Sequence, residues 1–174
     1  MFKRVLLAAS LAGFLSSAAF AGDQYIDATG YAVSGYDVVA YFGLEQTEIG
    51  TPQHEGIPGL ASITADYNGA TFAFATEANR DQFLADPAKY APQYDGHCAY
   101  GVSKGGKVPG NPNLWRIVDG KLYLNITKNV VGFWEEDVPG NISLAETNWS
   151  GGVESKEASE AVIPDFTSAA PAAN

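Results

Sequence analysis

Two dipeptides, Asn68-Gly69 and Asp119-Gly120, constrain this chain most. In "SITADYNGATFAFAT", Ile63, Ala65 and Tyr67 alternate before the dipeptide, and the run Thr71 to Ala75 follows it. Asn-Gly and Asp-Gly tolerate positive φ at both central positions, as a type I′ turn requires, so each segment reads as a β-hairpin. "LWRIVDGKLYLN" gives the second one. A threonine then stands where a helix should begin. Thr76 precedes "EANRDQFLA", with Ala78, Phe83 and Leu84 able to face a sheet, and Asp86-Pro87 ends it. Thr127 precedes "KNVVGFWEED", with Val130, Val131, Phe133 and Trp134 as its apolar set, and Pro139 stops it. The expected class is α+β: a small antiparallel sheet of hairpins packed against short helices, in a single domain. No internal repeat is evident beyond these two units, whose sequences differ.

Elsewhere the pattern is weaker. "DVVAYF" (37–42) reads as a short buried strand. Residues 44–62 are rich in polar residues, Pro and Gly and read as a loop. "AKYAPQY" is a bent connection, "HCAYGVS" a short helix stopped by Gly105-Gly106, and a last helical piece runs to Trp149. Residues 151–174 are rich in Gly, Ser, Ala, Pro and Glu, which reads as a disordered tail. The expected organisation is thus 1–21, 22–150 and 151–174.

The first 21 residues have the form of a secretory signal. Lys3 and Arg4 are followed by apolar Val5 to Leu15 and a small-x-small site, Ala19-Phe20-Ala21. No paired arginines are present and Gly22 follows the cut, which points to the general secretory route without a lipid anchor. The expected location is the periplasm. Removing Lys3 and Arg4 takes the formal net charge from −10 to −12. Such a surface repels nucleic acid and anionic lipid. No later run is long enough to span a bilayer.

Export sharpens the reading of the single cysteine, Cys98, which follows His97 in "YDGHCAYGV". One cysteine cannot close an intrachain bridge. It is buried, a metal ligand, or a reactive thiol. Thiolate and imidazole are common transition-metal ligands. On a helix, however, adjacent side chains diverge by about 100°, and Cys98 shares an i, i+4 stripe with Val102, as core residues do. Asp95 could ligate, orient His97, or cap the helix. His54, in the polar loop, is the other histidine. Tyr36, Tyr41, Tyr67, Tyr90, Tyr94 and Tyr100 read as core packing or as phenols around a pocket. "GGKVPGNP" lacks phosphate-loop spacing, and three Asn-x-Ser/Thr matches read as chance.

The combination "GYDVVAYF", "ADYNGATFAFATEANRDQFLADPAKYAPQYDGHCAYGVSKG" and "WRIVDGKLYLN" resembles the YHS-domain family, in particular its exported proteobacterial members, over about residues 26–149. The resemblance implies a small metal-associated α+β module. The metal-type pattern D-P-V-C-G-M falls on Asp37 to Phe42, with Ala40 at the cysteine position. The pattern F-C-S-x-x-C-x-x-x-F falls on Phe74 to Phe83, with Ala75 and Asn79 at its two cysteines. Asp37, Phe74 and Phe83 remain, so the frame is kept and the thiolates are lost. Any metal must then use a relocated site. The leading expectation is a non-enzymatic protein that binds a transition metal, copper before zinc or iron, or hands it to a metal-handling partner. Cys98 and His97 would be the ligands, with Asp95 or His54 completing the set. The alternative is a metal-free ligand- or protein-interaction module with Cys98 in the core. A thiol-based redox enzyme is the third class.

Overall fold

The computed structural model describes residues 24–172, so the expected signal segment lies outside the described residues. The α+β expectation holds. The elements are β1 (Leu60–Tyr67), β2 (Ala70–Phe74), α1 (Glu77–Ala85), α2 (Pro87–Tyr90), α3 (Ala99–Ser103), β3 (Asn111–Val118), β4 (Lys121–Asn125), α4 (Lys128–Glu135) and α5 (Val138–Asn148). The strands form two separate two-stranded antiparallel sheets, β1–β2 and β3–β4, rather than one. Both hairpin turns take the expected form. Asn68 and Gly69 have φ of 46° and 74°, and Asp119 and Gly120 have 50° and 73°. Thr76 and Thr127 cap α1 and α4 by accepting from the amides of Asn79 and Val130.

Three local expectations are corrected. Residues 37–42 do not form a strand, because the Asp37 carboxylate accepts from the amides of Val39 and Ala40 and bends the chain into a 3-10 turn at Ala40–Gly43. Pro139 does not end the helical region. Asp137 caps α5, and a proline in a first helical turn removes no needed hydrogen bond. Residues 151–172 are not a disordered tail. Val153, Ile163 and Ala170 are buried, and the segment runs as a strap over the body. One end is held by Lys107 Nζ on the Glu154 carbonyl and by the Ser159 amide on the Lys107 carbonyl. At the other end Ser168 Oγ donates to the Ser34 carbonyl, and Ala172 bridges Leu60.

The two hairpin-plus-helix units are copies of one structural design. Pro58-Gly59 and Pro109-Gly110, the two turn dipeptides, Thr76 and Thr127, and Asp86 and Asp137 each stand 51 positions apart. Asp86 and Asp137 share φ −153° and ψ 75°, and each caps the next helix. Both hairpins are irregular at the same place, between Leu60 and Thr64 and between Asn111 and Trp115. Phe83 and Trp134, also 51 apart, are each the fully buried anchor of their helix. The likeness extends upstream. Val33-Ser34-Gly35 and Tyr94-Asp95-Gly96 both run through three successive left-handed residues, near 50°, 50° and 82°. Tyr36 then bridges Pro58 as His97 bridges Pro109, and the Asp37 and Cys98 amides donate to Ile57 and Val108. The units differ in the connection that follows, which is ten residues longer in the first.

Each unit has its own core, and β4 is the wall between them. Leu122 and Leu124 join Tyr41, Phe72, Phe74, Phe83 and Trp115 on one side. Tyr123, pointing the other way, joins Tyr94, Ala99, Val102, Trp134 and Ala145. A strand buried on both faces ties the units into one body. A buried ion pair adds a second tie. Arg116 Nε lies 2.7 Å from Glu135 Oε1, and the guanidinium also donates to the carbonyls of Thr47 and Glu48 in the long loop of the first unit.

Candidate functional site

The strained turn at Tyr94–Gly96 delivers His97 and Cys98 in extended conformation, with ψ of 158° and 118°. Successive side chains of an extended chain point to opposite sides. The Cys98 sulfur turns inward. It accepts from the Gly101 amide at 3.3 Å, capping α3, and donates to Asn125 Oδ1 at 3.4 Å. The amides of Ile126 and Tyr100 also face it. Burial raises the thiol's pKa, so it is neither thiolate nor exposed nucleophile.

Its counterpart in the first unit explains this place. Asp37 Oδ1 accepts from Val39 and Ala40, and Oδ2 from the Ala75 amide and the Asn79 side chain. Ala40 corresponds to Gly101, and Ala75 to Ile126. Cys98 therefore fills the capping position of Asp37, not a thiolate position of the family pattern. Those positions carry Ala40, Ala75 and Asn79 in the first unit and Gly101, Ile126 and Val130 in the second. None of these six could supply a thiolate.

His97 turns outward from the core, against Tyr25 in an edge contact and close to Trp149. Its Nδ1 lies 2.9 Å from the Tyr94 carbonyl oxygen. A carbonyl only accepts, so Nδ1 carries the proton and Nε2 is the bare acceptor of the neutral ring. Burial, helped by the charge of Lys107, lowers the imidazole pKa to about 4. The ring is 1% exposed and Nε2 has no hydrogen-bond partner. His97 is among the residues lining a half-open cavity of about 710 Å³, between residues 24–29 and the strap over 158–168, while Nε2 itself is closed off from solvent. Tyr25, Ile26, Ile163 and Phe166 supply much of the lining.

Asp95 is buried beside this cavity and is held by Gln24, whose Nε2 donates to its carboxylate at 2.8 Å. Cys98, not Asp95, caps the helix. His54 is exposed in the long loop, where its backbone carbonyl accepts from Trp115 Nε1. The four expected ligands are thus not gathered. Among the described residues no group of three or more His, Cys, Asp or Glu side chains could hold a metal ion. The donor set does not fit the metal centre that the family implies. The tyrosines are core residues: Tyr36, Tyr41 and Tyr90 in one core, Tyr94 in the other, with Tyr67 and Tyr100 packed at the edges. Sequence reasoning missed Gln24 and the strap. A buried Gln beside the N-terminal segment has no local signal, and the strap has the composition of a linker.

No helix among the described residues is long and apolar enough to cross a membrane. No curated protein and no solved structure matches the chain. Residues 58–94, which run from the start of β1 in the first unit to the turn that opens the second, match the family model of the YHS domain. Over that stretch the chain is similar to the YHS domain.

Proposed function

We propose that this protein is an exported, non-enzymatic binding module of YHS type that holds a small molecule rather than a metal ion. Its working group is His97 and its site is the cavity under the C-terminal strap. Cys98 is a structural cap. The observation that carries this reading is the half-open cavity of about 710 Å³ lined by His97, Tyr25, Ile26, Ile163 and Phe166, whose size and largely apolar wall suit a small molecule. The leader-like residues 1–21 support export to the periplasm by the general secretory route. The copper reading required Cys98 and His97 to converge on one ion, and their side chains leave the chain on opposite sides.

The test is a paired titration. Cu(I), Cu(II) and Zn(II) are titrated against a competing chelator, and a mixed fragment library is screened by ligand-observed NMR. Wild type, Cys98→Ser and His97→Phe are compared. The expected result is fragment binding that His97→Phe weakens, with metal binding no tighter than an acidic surface gives and unchanged in Cys98→Ser. Tight one-to-one metal binding lost in Cys98→Ser would overturn the proposal.

A further inference from the structure

The end of the C-terminal strap meets the first unit in the way an extended peptide meets a groove. Ala172 lies in parallel register beside Leu60, at the start of β1. Its amide donates to the Gly59 carbonyl at 2.8 Å, and its carbonyl accepts from the Ala61 amide at 3.3 Å. This is strand addition, in which main-chain bonds hold a segment and seats for its side chains select it. Two seats are present. Pro171 packs on Gly35, where a Cβ would lie 2.7 Å from the proline ring. Phe166 packs on the Tyr36 ring, with centroids 6.2 Å apart. Between the seats, the Ala169 amide donates to the Tyr36 phenol oxygen, and Ser168 Oγ donates to the Ser34 carbonyl.

The second unit shows that the frame does not need this cover. Pro112 stands where Ala61 does, and a proline has no N–H to offer an added strand. Gly96 stands where Gly35 does, and the closest atom that a Cβ there would meet, Pro92 Cγ, is 3.6 Å away. The left-handed turn of that unit is covered from the other end of the chain, by the Tyr25 amide on the Asp95 carbonyl. The same hairpin-plus-helix design thus stands under a different cover. The groove at Gly35, Tyr36 and Ala61 is a feature of the first unit, not a requirement of the fold.

The seated segment is lightly held. Residues 166–172 read FTSAAPA, uncharged and with one large side chain, Phe166, which is only half-buried. The preceding main-chain bond to the body is the Ser159 amide on the Lys107 carbonyl. Of residues 160–165 only Ile163 is buried, and Val162 is 83% exposed. A short exposed tether keeps its segment at an effective concentration on the order of millimolar, so weak contacts suffice in cis. A second copy of the chain brings the same segment with the same contacts, and gains nothing over cis for the association entropy it loses. A foreign segment that fills the half-buried aromatic seat more fully does gain.

We propose that the groove of the first unit is a peptide-recognition site, which the chain's own residues 166–172 fill in cis until an extended segment of another protein replaces them. The segment it takes is uncharged. It has an aromatic residue for the Tyr36 seat and, five positions on, a proline between small residues for the Gly35 seat.

The experiment uses the full chain, labelled with nitrogen-15, and an unlabelled peptide of residues 166–172 capped at both ends. Wild type is compared with a strap-weakened chain, Phe166→Ala with Pro171→Asp. The strap-weakened chain should keep a cooperative thermal transition, while its amide signals over 167–172 become those of a flexible chain. The peptide should then bind one-to-one and return the Gly35, Tyr36 and Ala61 amide signals to their wild-type positions. Adding Ala61→Pro, the residue of the second unit, should weaken that binding about tenfold. Adding Gly35→Ala should abolish it. In wild type, the peptide at about millimolar concentration should release the labelled strap while the groove signals stay in place. Loss of the cooperative transition in the strap-weakened chain would show the segment to be part of the core and overturn the proposal. So would a peptide that neither binds that chain nor releases the strap of wild type, or binding that Ala61→Pro and Gly35→Ala leave unchanged. A concentration-dependent dimer of wild type that the strap-weakened chain does not form would give the groove to a second copy and overturn the assignment to another protein.

Discussion

The two units of this chain share a backbone design and have diverged at the positions where chemistry could sit. In the first, Asp37 gathers three amides and an Asn79 side chain around a buried carboxylate. In the second, Cys98 does the same work with a weaker acceptor. In the first, Tyr36 is covered by the chain's own C-terminal strap. In the second, His97 stands in a cavity wall with one nitrogen bare. The comparison teaches that a residue's role here follows from its place in the unit, not from its element type. Cys98 and His97 look like a ligand pair until their counterparts, Asp37 and Tyr36, show one to be a cap and the other a cover site.

The largest effect should come from the two helix anchors. Phe83→Ala and Trp134→Ala each open a large hole in a different core, which typically costs about 3–5 kcal/mol. Because β4 lines both cores, each variant should shift one common unfolding transition, seen alike by near-UV and far-UV circular dichroism. Separate transitions for the two units would break the comparison.

The caps come next and should be unequal. Asp37→Ala leaves three amides and a side chain without a buried charged partner, for a loss of about 3 kcal/mol or more. Cys98→Ala removes one weak acceptor and little volume, for about 1 kcal/mol. Chemical denaturation measures both. Equal losses would contradict the assignment of Cys98 as a diverged, weaker cap.

The close-packed glycines should behave alike. A Cβ at Gly59 would lie 2.5 Å from the Ala73 backbone, and one at Gly110 would lie 2.6 Å from the Gly96 carbonyl oxygen. Each glycine lets its segment approach the strand beside it. Gly59→Ala and Gly110→Ala should each cost about 1–3 kcal/mol by crowding, read as a shift in denaturation midpoint. A difference beyond that range would mean that the two approaches are not equivalent.

The smallest effect is on pH dependence. His97 has a folded pKa of about 4 against an ordinary value near 6.5, with burial the main cause and Lys107 adding to it. The unfolded chain therefore takes up a proton on this residue at a pH where the folded chain does not. Its contribution to stability is present above about pH 6.5 and is lost as pH falls toward about 4. Other groups near the ring are Tyr25, Asp95 and Lys107. Wild type should lose more stability than His97→Gln between pH 7 and pH 4.5. Parallel losses would show that the ring is solvated.

Much of the frame was legible in the sequence, because turn dipeptides and threonine caps act locally. Asn68-Gly69, Asp119-Gly120, Thr76 and Thr127 placed both hairpins and both following helices. The repeated design was also written there, in a punctuation of Pro-Gly, Asn/Asp-Gly, Thr and Asp recurring at 51 residues. It was obscured because the residues between, such as Phe72 and Tyr123, keep burial rather than identity. The 3-10 turn at 40–43 was not legible, since an apolar run looks the same whether a strand or a buried carboxylate shapes it. Nor was the strap, whose order comes from Lys107, Ser34 and Gly59, all distant in sequence. The candidate site was half visible. His97 stood out by residue type, but its separation from Cys98 depends on backbone angles set by the left-handed turn before it.

The most direct measurement is a two-bond proton–nitrogen NMR correlation of the His97 ring, recorded at pH 7 with and without one equivalent of Zn(II). The expected spectrum shows Nδ1 protonated and Nε2 as an unprotonated, pyridine-like nitrogen, with the Cys98 Cβ signal unmoved by zinc. A proton on Nε2, or a joint shift of His97 and Cys98 when zinc is added, would contradict the assignment of His97 to the cavity and Cys98 to the core.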